Sequence, residues 1–258
     1  MSVARAPGAD ELPGTPLDAE GLRARWLGRI GYSLATALQE DIRRAHARTG
    51  DVLLLLEHEP VYTTGRGGRA EHLAAPPSDG AAPVPVERIG RGGDVTYHGP
   101  GQLVGYALVD LRARGRDVHR FLRELETGVI TTLSALGVRG ARWPGRTGVW
   151  VADPDADVGR MDDRDMQLGR IRKIASIGIG VRGGITMHGF ALNVAMDLAP
   201  FAAIVPCGLV GVRMTTVARE TPGPVPSLRE VAALAAHQVA AALASSAPPE
   251  RDPAGAVP

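Results

Sequence analysis

The chain has one cysteine, Cys207, in 258 residues. A single thiol excludes an intramolecular disulfide and fits a reducing compartment. One cysteine and scattered histidines make none of the usual ligand spacings of a metal site, and no Walker-type phosphate loop occurs. Long hydrophobic runs are missing: Val52 to Leu56 is cut off by Glu57, far short of a membrane span. The opening MSVARAPGADELPGTPL has no apolar stretch of the kind a secretory signal carries. With a formal net charge of +1, nothing calls for nucleic acid or a membrane surface as a partner. These absences describe a cytoplasmic protein. Aromatic residues are few at 4%, whereas 33 glycines and 20 prolines imply many turns and close backbone approaches.

Lysine is as scarce as cysteine. Of 29 basic residues, all but Lys173 are arginine. Arginine stays charged in a protein, whereas an amine can be tuned to give and take protons. Lys173 is either a stray residue in an arginine-biased chain or a position where a titratable group is needed. Cys207 sits in the turn Val205-Pro206-Cys207-Gly208. A thiol is nucleophilic only as thiolate, with an ordinary pKa near about 8.5, so a neighbouring cation or base must assist it. Lys173 can do both jobs. The competing reading is an inert buried cysteine. His98 and His188, each beside a glycine, are alternative bases or hydrogen-bonded structural histidines.

Residues 1 to 18 and 245 to 258 are rich in Pro, Gly and Ala and read as disordered tails around one domain over 19–244. Arg23 to Ile30 reads as a strand. Gly31 to Arg48 is an amphipathic helix with Leu34, Leu38 and Ile42 on its apolar face, closed by Gly50. Val52 to Leu56 reads as a strand buried on both faces, residues 74 to 83 as a surface loop, and Val84 to Ile89 as a half-buried strand. Gln102 to Leu111 is a strand, and Val118 to Leu136 a helix capped by Gly137. Residues 153–169 are charged and turn-rich, a solvent-exposed insertion. Ile171 to Val181 and Ile185 to Val194 form a hairpin turning at Arg182-Gly183-Gly184. Leu228 to Leu243 is a helix with Ser227 as N-cap. RGGDVTYHG at 91–99 and RGGITMHG at 182–189 echo one another, which suggests two hairpins lining one cleft. Without a strict βαβ rhythm, the fold class is α+β: a mixed, largely antiparallel sheet with packed helices.

Three runs together, RGGDVTYHGPGQLVGY (91–106), RKIASIGIGVRGGITMHGFALNV (172–194) and PCG (206–208), resemble the lipoyl(octanoyl) transferase family in order and spacing, over about residues 20 to 220. The resemblance implies the fold of the biotin and lipoate ligase catalytic domains. It implies transfer of octanoyl from octanoyl-acyl carrier protein to a lysine of lipoyl domains, those of 2-oxoacid dehydrogenases and the glycine cleavage H protein, with no cofactor. It makes Cys207 the acyl-thioester nucleophile and Lys173 its activator. Arg91, Gly92, Gly93, Asp94, Val95, Thr96, Tyr97 and His98, then Ser176, Ile177 and Gly178, then Gly189, Phe190 and Ala191, match segments that line the acyl pocket. The rival readings are an ATP-dependent ligase of the same fold, a Cys–His hydrolase, and a carrier-binding module without turnover.

Overall fold

In the computed structural model, residues 12–19, 21–73, 83–154, 156, 158–160 and 162–245 are described. The first half runs β1 (Thr15–Leu17), β2 (Arg23–Ile30), α1 (Tyr32–Thr49), β3 (Val52–His58), β4 (Val61–Thr64), β5 (Val86–Arg88), β6 (Val95–His98), β7 (Gln102–Leu108) and α2 (Val118–Ala135). The second half runs β8 (Ala141–Trp143), β9 (Arg146–Ala152), α3 (Asp163–Gln167), β10 (Ile171–Arg182), β11 (Ile185–Asn193), β12 (Arg213–Met214), α4 (Val217–Glu220) and α5 (Leu228–Ser245). The large sheet has the order β1-β2-β3-β7-β11-β10-β9-β8, with β12 beside β10. Only β2–β3 and β10–β12 pair in parallel within it. A small sheet, β5-β4-β6, stands apart. The α+β class read from the sequence is the architecture seen.

β3 shows why the large sheet is a central layer. Its leucines alternate: Leu53 and Leu55 join one core with Phe121, Leu125 and Val129 of α2 and Val239 of α5. Val52, Leu54 and Leu56 join the other with Ala35 and Ile42 of α1. Each fully buried leucine contributes about 1.5–3 kcal/mol relative to exposure, so this strand alone fixes which helix lies on which face. α2 and α5 touch closely because Gly128 has no side chain; a Cβ there would sit 2.8 Å from the Val239 Cα. The β10–β11 hairpin turns on Gly183 and Gly184, with φ of 61° and 84°, the two positive values a type I′ turn needs.

Several expectations change. Leu34 is 65% exposed; α1 instead turns Ala35, Gln39, Ile42 and Ala45 inward, because small residues let the helix lie close to the sheet. Residues 12–18, expected in the N-terminal tail, belong to the folded domain. Leu12 is buried, and Thr15–Leu17 pairs with Ala24–Trp26 at the sheet edge, where Pro16 is tolerated. Residues 1–11, 246–258 and all but the last residue of the loop expected at 74–83 lie outside the described residues. β5 is only three residues long and pairs in parallel with β4, while β6 takes the other side of β4. Residues 91–99 are therefore not a hairpin, and the echo with 182–189 does not reflect a shared turn. The charged insertion is not wholly solvent-exposed either: α3 has an Asp162 capping box, and its Met166 is buried with Trp143, Trp150 and Ile171.

Candidate active site

Lys173 and Ser176 are three residues apart on β10. Simple alternation would send them to opposite faces of the sheet. The pairing with β9 slips between Lys173 and Ala175, and Ile174 and Ala175 both enter the core beneath α2 and α5. This bulge re-phases the strand, so Lys173 and Ser176 share the other face. Both reach one sulfur there. The Lys173 Nζ lies 3.4 Å from the Cys207 Sγ, and the Ser176 Oγ lies 3.8 Å from it.

Cys207 is half-buried and has φ 57° and ψ 20°, a left-handed conformation that costs a non-glycine residue on the order of 1–3 kcal/mol. Gly208 follows with φ 69°. A side chain there would meet the Asp94 carboxylate at 2.8 Å, so the turn after the thiol requires glycine. The chain before it is tied by the Val205 N–H donating to the His72 carbonyl at 2.8 Å, and His72 is itself hydrogen-bonded to Asp94. Lys173 is 2% exposed. Its ammonium donates to the Thr147 carbonyl at 3.0 Å and lies 4.9 Å from the centre of the Trp150 ring, a cation–π contact. No carboxylate pairs with it among the described residues, which leaves its charge directed at the sulfur.

The thiol and the amine open into a cavity of ≈ 240 Å³. Of the residues expected to line it, Arg91, Gly92, Gly93, Asp94, Thr96, His98, Ser176, Ile177, Gly178, Gly189, Phe190 and Ala191 do so. Val95 and Tyr97 do not: alternation along β6 turns them away, into a cluster with Tyr62 and Phe201. The glycines serve the scaffold as much as the cavity. A Cβ on Gly189 would lie 2.2 Å from the Gly105 carbonyl oxygen on the next strand, so a larger residue there would part β11 from β7 before it filled the cleft.

The histidines have other duties. The Gln102 side-chain nitrogen donates to the Tyr97 carbonyl and to Asn193 Oδ1, so Gln102 Oε1 accepts from the His98 Nδ1 at 2.7 Å. The Thr63 hydroxyl accepts from Arg91 at 3.0 Å and donates to the His98 Nε2. Both ring nitrogens of His98 are thus committed to protein partners, and burial pushes its pKa down to about 3. Burial likewise lowers His188 to about 4 and His58 to about 4, so all three are neutral near pH 7. Burial lowers the Arg91 pKa, and the field of Cys207 is the first influence opposing it.

His188 is the other strained wall residue, with φ 63°. On a regular strand it would follow Phe190 and Leu192 into the core beneath α2 and α5. The left-handed backbone turns it into the cavity, where it stands edge-on to Tyr106 with ring centres 6.1 Å apart. Sequence reasoning missed Tyr32, Ile89, Val104, Tyr106, Gly145, Arg146, Thr147 and Leu209 as lining residues. Val104 and Tyr106 were within reach of it, as residues of the first family run; the others lie outside the three family runs, save that Leu209 directly follows PCG.

The Lipoyl protein ligase A/B catalytic domain family model matches residues 31–240. The octanoyltransferase of Geobacter metallireducens is 46% identical over 204 residues, covering 78% of this chain and 84% of that one. Among solved structures, a bipartite lipoate protein ligase from Thermoplasma acidophilum aligns with a TM-score of 0.60 at 18% identity, over 89% of this chain and 84% of that one. A biotin protein ligase from Aquifex aeolicus in complex with biotin and ATP aligns with a TM-score of 0.50 at 13% identity, over 87% and 71%. The structural likenesses carry the fold, the sequence likeness carries the activity, and the chain belongs to the lipoyl protein ligase A/B catalytic domain family as an acyltransferase of its octanoyltransferase branch.

Proposed function

We propose that the chain moves octanoyl from octanoyl-acyl carrier protein to the target lysine of lipoyl domains, those of 2-oxoacid dehydrogenases and the glycine cleavage H protein, through a thioester on Cys207. The observation that carries this reading is the lone amine 3.4 Å from the lone thiol at the wall of a cavity. The Cys207 thiolate attacks the carbonyl carbon of the donor thioester. The carbon–sulfur bond to the carrier breaks, and the departing thiolate takes a proton from Lys173. The acceptor amine then attacks the enzyme thioester, Lys173 accepts its proton, and the Cys207 sulfur leaves as the amide forms. General acid–base help of this kind is typically worth about 10²–10⁴-fold. Exchange between thioesters is nearly balanced, and amide formation drives the second half forward. No cofactor enters this scheme. A free thiol used as nucleophile suits a reducing compartment such as the cytoplasm; no helix among the described residues is long and apolar enough to cross a membrane.

Intact-protein mass spectrometry after mixing with octanoyl-acyl carrier protein, without ATP, tests the scheme. One octanoyl mass should appear, be removed by hydroxylamine, and be absent from Cys207→Ala. A variant lacking the thiol that still transferred octanoyl would overturn the acyl-enzyme, and a strict need for ATP would move the reading to a ligase.

A further inference from the structure

The cavity walls change character along their length. Ser176 stands beside the thiol; His188, opposite Ile179, and Tyr106, opposite Gly189, which itself faces Gly178, line the cavity two to three residues further along β10, together with Tyr32. An octanoyl chain has no hydrogen-bonding group to offer Tyr and His side chains. Their arrangement is nonetheless built. His58 donates from Nδ1 to the Ile30 carbonyl at 3.0 Å, so its Nε2 accepts from the Tyr106 hydroxyl at 2.7 Å. That bond fixes the Tyr106 ring, and the Tyr106 oxygen interacts in turn with the Tyr32 hydroxyl. Tyr32 packs against the same His58, ring centres 5.1 Å apart. His188 is held in a left-handed conformation, with its backbone N–H donating to the Gln39 side chain at 2.8 Å, while no described residue hydrogen-bonds its ring. A strained residue that presents an unpartnered imidazole to an apolar substrate is unexplained by transfer chemistry.

Its distance from the sulfur supplies the explanation. Ser176 Oγ is 3.8 Å from the Cys207 Sγ. Gly180, four residues on along β10, lies against the His188 ring, whose Cδ2 is 3.6 Å from the position of a Cβ there. Four residues at about 3.3 Å each separate the two levels by about 13 Å. A contact distance of about 3.5–4 Å at the far wall leaves about 9 Å for the acyl group. Carbon–carbon bonds of about 1.5 Å advance a zigzag chain by about 1.3 Å per carbon, so about seven carbons fill that length.

We propose that His188, Tyr106 and Tyr32 form a polar end wall that gauges acyl length, stopping the chain at about eight carbons. This rests on the reading of the cavity as the acyl site. A longer chain must push its last methylenes onto polar atoms that it cannot satisfy, or bend back. Each extra methylene that finds no apolar contact gives up the gain of about fourfold in binding that an apolar extension would bring, so decanoyl falls roughly tenfold or more below the affinity its two added carbons would have in a cavity open at that end.

The decisive variant is His188→Gly, because glycine adopts φ 63° without strain and the fold is retained. Tyr106→Phe removes only the hydroxyl. Unreactive amide analogues of hexanoyl-, octanoyl-, decanoyl- and dodecanoyl-pantetheine are tested for protection of Cys207 against iodoacetamide, and the matching thioesters for transfer. Wild type should prefer eight carbons in both assays. In His188→Gly the decanoyl-to-octanoyl ratio should rise at least about tenfold, and in Tyr106→Phe about threefold. A folded His188→Gly protein with the wild-type ratio overturns the gauge and leaves the acyl-site reading intact. Failure of every analogue to protect wild-type Cys207 overturns the acyl-site reading, and the gauge with it.

Discussion

A methyl group on Gly148 would test how tightly the amine must be held. Its Cβ would lie 2.8 Å from the Lys173 Cε and 3.2 Å from Nζ, with the Ala175 carbonyl oxygen at 2.6 Å. Carbon contacts relax near 3.5–4.0 Å, so the lysine tip must shift by about 0.5–1 Å or β9 must retreat. β9 is held from behind: the Gly148 N–H donates to Glu126 at 3.0 Å. Glu126 is fully buried and paired with Arg123 at 2.7 Å and Arg142 at 3.0 Å. The lysine tip is the flexible part of this contact and yields, while the Ala175 carbonyl at 2.6 Å strains the backbone as well. A misplacement of about 1 Å at a reacting group can cost about 100-fold in rate. Gly148 also has φ 122°, and strain together with overpacking should cost about 2–4 kcal/mol of stability. Gly137→Ala is the control, since Gly137 has φ 77° and nothing within 4 Å of its Cβ position. The assays are octanoyl transfer at a temperature where both variants are folded, and urea denaturation. Gly148→Ala should lose about 100-fold in transfer, whereas Gly137→Ala should lose stability alone. Transfer by folded Gly148→Ala within about threefold of wild type would refute the claim that the position of Lys173 limits the reaction.

Lys173→Arg should slow both iodoacetamide alkylation of Cys207 and transfer, because Gly148 and Trp150 leave no room for a planar guanidinium; transfer should fall further, by about 10²–10⁴-fold, as the proton relay is lost, and near-normal transfer would make the lone lysine an accident of composition. The buried histidines predict acid sensitivity. His58 and His188 titrate near about 4 and His98 near about 3 when folded, against about 6.5 in the unfolded chain. The unfolded chain therefore binds more protons between those values. Stability is full above about pH 7 and falls as the pH drops through 6.5 toward 4, with a slope near pH 5 approaching about 4 kcal/mol per pH unit from three protons. Urea midpoints at pH 7, 6 and 5 check this, and equal midpoints would refute it.

The elements legible in the sequence were those whose residues obey one period. β3 alternates cleanly between two cores, the glycine pair at 183–184 specifies its turn, and Gly50 closes α1 through its N–H on the His46 carbonyl at 2.7 Å. Cys207 and Lys173 were legible for another reason: scarcity of their residue types. What stayed hidden depends on contacts between distant segments. Leu34 looks like a core residue by spacing, yet the sheet selects the alanine face of α1. The insertion reads as mere charge, yet Met166 packs with Trp150, the ring over which Lys173 is held. Val95 and Tyr97 belong to the pocket motif by position and to another core by alternation.

The backbone departs from regularity around the proposed acyl site. Were β10 a regular strand, Ser176 would lie with the core residues and only Lys173 would reach the sulfur. The slip between Lys173 and Ala175 brings both across. Were Cys207 in an ordinary turn conformation, its side chain would leave the cavity; φ 57° keeps it there. Were His188 a regular β11 residue, its ring would join the apolar core, and φ 63° brings it out. Among described non-glycine residues only Arg116 shares this conformation, and it does not line the cavity. Such strain persists only when the surroundings over-determine it, and the central sheet, apolar on both faces, provides that rigidity. The same sheet makes the strained positions poor targets for conservative replacement, because a side chain of similar size still has to adopt the unfavourable backbone. Glycine at 188 and a methyl group at 148 are informative for opposite reasons. One releases a strain that serves only the cavity, and the other presses on the amine and on the Ala175 carbonyl beside it.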